Sequence, residues 1–367
     1  MPLDFQNAER FFRDNRIREL AQTMDGLLYL KLKSLSRKKH LERLADKMGL
    51  SAQGKTAGQM LQELYEAKVD MGSIDDLVRE IYTEERSIRR ETEDALISEL
   101  YHLKVFDWGG IYQGGLERTI VNNYVKRVQG YDELCDRIDN ELQVSLRGYV
   151  LCSWYNHWTS IIIEDVFRDH PRVLPAVGRV KKIDFFINNV PYDLKVTYLP
   201  EEYIAERRKA RGLRPEITLL RSLAQQFQVH YDRNMPPKRF REDIWTKLAD
   251  HPSQQVIDSL QELKETRNSI LEEAILNPSP LIRWLYERQG ARRFDASNRL
   301  FLILVDKSNY SDSWKLKRAR PLLVDRIHSY LDDASTNPGQ DIEFQWLDGQ
   351  VYHVVSDVIF IVHERGN

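Results

Sequence analysis

A mixed α/β fold follows from three features of the sequence. Apolar residues recur at three- and four-residue spacing through Leu41, Leu44 and Met48 and again through Met60, Leu61 and Leu64. Two short apolar runs flank Asn188-Asn189, and Arg299–Asp306 reads RLFLILVD. The first is the period of amphipathic helices, the second the signature of a β-hairpin, and the third that of a strand buried on both faces. The sheet is expected to be mixed, of the α+β kind, with helices before and after each strand pair.

Residues 1–105 read as helical. Asp107–Gly115 contains two Gly-Gly pairs and breaks the pattern. Helical spacing resumes from Leu116 to Val150, and a further helix, Ser153–Asp169, is stopped by Pro171 and Pro175. Val180–Ile187 and Pro191–Leu199 then form the hairpin. A mostly helical stretch runs to Arg293, followed by the strand Arg299–Asp306 and a helix from Pro321 to Leu331. Two strands close the chain, Glu343–Leu347 and Gln350–His363, joined at Asp348-Gly349. The expected organisation is a helical region over 1–115 and a second domain over 116–367 that carries a helical insertion at 200–295.

The composition is that of a folded protein: 367 residues, 42% hydrophobic and 30% charged. No apolar run reaches the ~20 residues of a membrane span, and the first residues lack the order of a signal peptide. Two cysteines, Cys135 and Cys152, make neither a disulfide framework nor a four-cysteine zinc site. A cytoplasmic setting without a membrane partner is the expectation. The net charge of -2 is uninformative; its distribution says more. Cations cluster at Lys31–Lys47, Arg207–Arg214, Lys238–Arg241 and Lys315–Arg320, and each run reads either as a phosphate-binding patch or as a solvated helix face.

The chemistry is concentrated in VKKIDFFINNVPYDLKVTYL, residues 180–199. Side chains alternate across a strand. Ile183, Phe185 and Ile187 are expected on one face, and Lys182, Asp184 and Phe186 on the other; Asp193, Lys195 and Thr197 share a face of the second strand. If Asn188-Asn189 is a two-residue turn, Asp184 lies opposite Asp193. Two carboxylates about 5 Å apart at Cβ repel. A shared proton or a hard divalent cation relieves this, and Mg²⁺ favours one or two carboxylates with water and phosphate oxygens. Lys195 reaches the same pocket, where it can orient a water or stabilise charge on a phosphorane. Together these residues describe metal-assisted phosphodiester hydrolysis. On this reading, removing either aspartate relieves repulsion and leaves metal-free folding at least as good.

Asp184, eight residues, then Asp193-Leu194-Lys195 resembles the PD-(D/E)XK nuclease superfamily, which includes most type II restriction endonucleases. The resemblance implies a restriction-endonuclease-like core over residues 150–330: a helix, a three-stranded meander, a helix and a further strand. It implies that Asp184 and Asp193 bind Mg²⁺, with Mn²⁺ able to substitute, that Lys195 is catalytic, and that double-stranded DNA is the substrate. Ile183 stands where the family has proline. The family's first helix often carries a metal-site glutamate, which makes Glu164 a candidate ligand and catalytic residue. Trp158, Ile162 and Val166 form a stripe nearly opposite Glu164, so a surface glutamate is an equal reading, and Asp165 competes for the role.

Other signals carry less. GLSAQGKT at 49–56 matches the P-loop pattern, yet charged, helically spaced residues precede it where a buried strand is required, so no nucleotide cofactor is expected. Residues 39–67 resemble a SAP-type helix-turn-helix module, with Gly54-Lys55-Thr56 opening the second helix near a phosphate; an ordinary helical pair is the competing reading. His157 is expected to pack within its helix, Cys152 in the core, and Trp245 and Trp284 on amphipathic helices. Asp306 with Asp312 is the fallback acidic pair. The leading expectation is a site-specific DNA endonuclease, a homodimer if it cuts both strands. A non-specific, repair or anti-phage nuclease and a catalytically inert DNA-binding protein are the alternatives.

Overall fold

The computed structural model describes the chain except residues 1–2, 15, 108–114, 179, 181, 233–236, 289–296, 334–338, 346–348 and 365–367. Six helices open it: α1 (Phe5–Arg13), α2 (Ile17–Ala21), α3 (Met24–Ser34), α4 (Lys38–Lys47), α5 (Ala57–Glu66) and α6 (Met71–Leu100). The spacing that predicts them is the spacing they bury. Leu41, Leu44, Met60, Leu61 and Leu64 join Leu28, Tyr29, Ile74 and Leu77 in one core. The glycine-containing segment expected to break the helical pattern lies mostly outside the described residues.

After α7 (Leu116–Ile120) and α8 (Tyr131–Arg137), each followed by a π-helical turn, comes α9 (Gln143–Arg168). It is one continuous helix, where the sequence suggested a break near residue 150. Six strands form one mixed sheet in the order β1-β2-β3-β4-β6-β5. They are β1 (Val173–Pro175), β2 (Phe185–Ile187), β3 (Val190–Tyr198), β4 (Arg299–Asp306), β5 (Gln340–Gln345) and β6 (Val351–His363). β1, β2 and β3 are an antiparallel meander, β3 and β6 flank β4 in parallel, and β5 returns antiparallel on β6. The β5–β6 turn was read at Asp348-Gly349; Asp348 lies outside the described residues, and Gly349 has φ 78°.

β4 is buried at every residue, as its unbroken apolar run predicts. Leu300, Leu302 and Leu304 face α9 and α15 (Arg320–Asp333). Phe301, Ile303 and Val305 face the helices inserted between β3 and β4. Those are α10 (Glu201–Ala210), α11 (Glu216–Gln226), α12 (Pro237–Ala249), α13 (Gln254–Leu276) and α14 (Ser279–Arg288). α11, α12 and the first half of α13 have a core of their own around Leu220, Phe240, Ile244 and Leu260. No helix among the described residues is long and apolar enough to cross a membrane.

The N-terminal helices are not detached from the sheet. Leu174, Val177, Ile183 and Phe186 belong to their core. Gly178 packs so tightly on the end of α3 that a Cβ there would lie 2.5 Å from the Ser34 carbonyl oxygen, so only glycine fits. A buried ion network joins α6 to α9. Arg89 Nη2 lies 2.7 Å from Asp165 Oδ1, Arg86 Nη2 lies 3.0 Å from Asp169 Oδ2, and Tyr82 donates to Asp169 at 2.8 Å. Asp165 is 3% exposed and its carboxylate is taken by Arg89. It anchors the helix and does not face the hairpin, which removes it as the competitor of Glu164.

The hairpin register agrees with the sequence reading. Phe185 pairs with Tyr192, Phe186 with Pro191 and Ile187 with Val190. Asn188 and Asn189 have φ of 50° and 65°, the left-handed pair a two-residue type I′ turn requires. Asn189→Ala is expected to lower stability by about 1 kcal/mol, because alanine lacks asparagine's tolerance of that region, while Asn189→Gly leaves it unchanged or raised. Thermal melts of the two variants check this, and equal melting temperatures would refute it.

Candidate active site

β2 is shorter than its apolar pattern suggested, and this shapes the site. The ladder with β3 ends at Phe185, and the chain bends at Asp184. Strict alternation would put Ile183 on the face of Phe185; instead Ile183 joins Phe186 in the N-terminal core. Past the bend the backbone no longer supplies ladder partners. Asp184 N–H still donates to the Tyr192 carbonyl (2.8 Å), and the Leu194 N–H donates to Asp184 Oδ2 (2.8 Å). The carboxylate of Asp184 thus takes the place of a strand carbonyl, which fixes it against β3.

Asp193 and Lys195 share one face of β3, and Lys195 Nζ lies 2.6 Å from Asp193 Oδ1. Asp193 is 7% exposed. Its N–H donates to the Asn298 carbonyl, and β4 enters beside it in parallel, with Arg299 directly alongside. Arg299 Nε lies 3.5 Å from Asp193 Oδ2, and its guanidinium sits over the Tyr286 ring at 4.8 Å. Asp193 therefore has a cation near each oxygen. Truncating it removes an anion from beside the buried Arg299, which is destabilising. The expectation that metal-free folding survives loss of either aspartate therefore needs separate tests, since Asp193 has ion-pair partners that its removal would disturb.

Glu164 leaves α9 on the side of the hairpin. It pairs with Arg168 one turn on, at 2.8 Å, and Arg168 Nη2 also donates to the Asp184 carbonyl at 3.4 Å. Burial first, then the negative charges of Asp193 and Glu164, push the Asp184 carboxyl up to about 6, against smaller opposing effects of the Leu194 N–H and Arg168. Asp184, Asp193 and Glu164 thus act on one another electrostatically. Among the described residues, no three His, Cys, Asp or Glu side chains form a ready-made cage for a metal ion.

Sequence reading missed Arg168 and Arg299. The first was legible as an i,i+4 partner of Glu164. The second was hidden in an apolar run, and only the parallel pairing of β4 with β3 puts it beside Asp193. Lys317 was also missed. It is buried, donates to Asn156 Oδ1 at 2.7 Å, and its ammonium is pushed down to about 8 by burial. It lies beside Tyr198, at the far end of β3 from Asp193.

The remaining candidates have structural partners. Lys31 is 2% exposed and pairs with Asp75 at 2.7 Å, so it is not part of a phosphate-binding patch. Arg207 and Arg211 pair with Glu273, and Arg241 with Glu201; Lys238 lies outside the described side chains. Residues 49–56 join α4 to α5, so a helix, not a strand, enters the turn. Lys55 pairs with Glu63, and Thr56 caps α5 in a capping box with Gln59. His157 is exposed against Trp158 rather than packed within its helix, because its side of α9 faces outward. Cys152 is buried, and Trp245 and Trp284 pack against helical cores. Asp306 accepts from the Ser308 and Asn309 N–H groups, and Asp312 pairs with Lys315, so the fallback acids stabilise a turn and a half-buried ion pair. Comparison with protein-family models, with curated proteins and with solved structures finds no match.

Proposed function

We propose that this protein is a Mg²⁺-dependent DNA endonuclease, of the site-specific restriction type, whose active site is Asp184, Asp193 and Lys195 with Glu164 beside them. The observation that carries the reading is the juxtaposition itself. A bend puts a buried carboxylate against the strand that bears Asp193 and Lys195, and burial, followed by the charges of Asp193 and Glu164, raises Asp184. Converging carboxylate oxygens, with the Asp184 carboxyl held poorly solvated, suit a hard cation. Two carboxylates fit Mg²⁺ even without a three-ligand cage, because the ion keeps waters and takes phosphate oxygens for the rest of its shell. The order of elements also supports the resemblance: helix α9, the β1–β3 meander, inserted helices, then β4 parallel to β3.

Asp184 and Asp193 would hold the cation, with Glu164 adding charge or a water-mediated contact. When bound, the ion polarises the scissile phosphate and lowers the pKa of a water. Lys195, paired with Asp193 on the same strand face, would place its ammonium next to the reacting phosphate and orient the attacking water. Arg168 and the Leu194 N–H keep Asp184 in position.

The test is incubation of the purified protein with phage and plasmid DNA in Mg²⁺. Discrete fragments support the restriction-type reading. A smear keeps the nuclease and replaces that role with a non-specific, repair or anti-phage one. Intact DNA over a range of substrates and metals, Mn²⁺ included, overturns the reading in favour of an inert DNA-binding protein.

A further inference from the structure

A cleft of about 520 Å³ lies between α6 and the end of α9, outside the hairpin, and its walls are unusually cationic. Arg79, Arg86, Arg90 and Arg168 line it, with Asp169 the one carboxylate among the lining residues. Asp169 is occupied by Arg86 and Arg90. Arg79 is exposed and donates to the Pro171 and Val173 carbonyls, which are neutral. Among the described residues no carboxylate pairs with it. Arg90 has a side chain 61% exposed.

Several acids of α6 are engaged away from the cleft. Glu80 and Glu84 turn away from the cleft to Arg43 and Lys47 of α4, and Asp75 turns to Lys31 of α3. Arg79 and Arg90 remain on the cleft side, about 16 Å apart along the helix at 1.5 Å per residue. Thr83 and Ser87 lie between them; both are small, and the space stays open. The inner wall is Arg168, which also pairs with Glu164 and reaches the Asp184 carbonyl. One end of the cleft therefore borders the candidate active site.

We infer that this cleft is a track for the DNA backbone, in which Arg79 and Arg90 bind phosphates flanking the one being cut; the inference rests on the DNA endonuclease reading above. Exposed guanidinium groups on a rigid helix suit phosphate oxygens, which fix register without reading sequence. The separation matches a run of several nucleotides along one strand.

The experiment is anisotropy titration of a fluorescent 30-base-pair duplex in EDTA, across a salt series, with wild type, Arg79→Gln/Arg90→Gln and a control, Arg137→Gln/Arg326→Gln, that removes two cations elsewhere. The cleft variant should bind roughly 10-fold more weakly, and its log K against log salt slope should be shallower by about 1 to 2, as for one or two lost phosphate contacts. The control should keep the wild-type slope. Both variants should melt close to wild type, since Arg79, Arg90 and Arg326 are exposed and Arg137 is half-buried only against Glu141 and Tyr124 on the helical surface. A cleft variant with wild-type affinity and slope overturns the inference and leaves the nuclease reading intact. A control that loses as much slope as the cleft variant also overturns it, because the effect would then be net charge alone. A wild type that neither binds duplex salt-dependently nor cuts it removes both.

Discussion

On the proposed nuclease reading, Asp193→Asn should reduce DNA cleavage in Mg²⁺ on the order of 10³-fold or more, since it would remove an anionic ligand from the reacting centre. The isosteric change is preferable to alanine because Asp193 is also the partner of Lys195 and of buried Arg299. Asn keeps the shape and one acceptor, while Asp193→Ala combines loss of the ligand with loss of an anion beside buried Arg299 and should fold less well. Magnesium supplies a second readout. A ligand that binds only the folded state stabilises it, by about 2.7 kcal/mol at a hundred times its Kd. Wild type should melt higher in Mg²⁺ than in EDTA, and that increment should vanish in Asp193→Asn and Asp184→Asn. Lys195→Ala separates chemistry from metal binding: cleavage should collapse while the Mg²⁺ increment survives and DNA binding weakens modestly. Near-wild-type cleavage by Asp193→Asn would end the assignment of this hairpin as the active site.

The second large effect is on stability, and it depends on pH. The Asp184 carboxyl is raised to about 6, mainly by burial and then by Asp193 and Glu164, whereas in the unfolded chain an aspartate titrates near 3.9. The folded form therefore holds its proton more tightly. The favourable contribution of protonated Asp184 is complete below about pH 4 and is lost as pH rises through about 6. Two units correspond to about 3 kcal/mol. In metal-free buffer, Asp184→Asn should match wild type near pH 4 and exceed its stability by roughly 2–3 kcal/mol at pH 8, since Asn can still accept the Leu194 N–H. Urea midpoints at several pH values measure this. A difference that stays flat with pH would mean that Asp184 is not the strained acid described above. Added Mg²⁺ should narrow the gap, because the cation relieves in wild type what the substitution removes in the variant.

Local signals were the legible ones. Asn188-Asn189 fixes a two-residue turn through its tolerance of positive φ, and the turn fixes a register in which paired residue numbers have a constant sum. Extended by one pair, that register places Asp184 opposite Asp193; the ladder itself ends one pair short, at Phe185 and Tyr192. The unbroken apolar run of β4 and the helical spacing of residues 38–66 were equally legible, because burial on two faces and burial on one stripe leave different periods. β1 was not, since three residues between prolines carry no period. The end of β2 was not either: its apolar pattern continues through Ile183, but that side chain is claimed by the N-terminal core, and the chain bends to reach it.

Asp184, Asp193 and Lys195 were singled out from the sequence itself, through alternation and turn chemistry, which act within twenty residues, and Glu164 through the resemblance. Their electrostatic state was decided by contacts between segments far apart in the chain. Arg299 reaches Asp193 only because β4 enters parallel to β3 after a hundred intervening residues' worth of helices, and Asp165 is withdrawn from the site only because α6 presents Arg89 to it. Short-range steric preferences can be read along a chain. Charge compensation in a buried site depends on which distant elements pack together, and a sequence without its tertiary partners does not specify that.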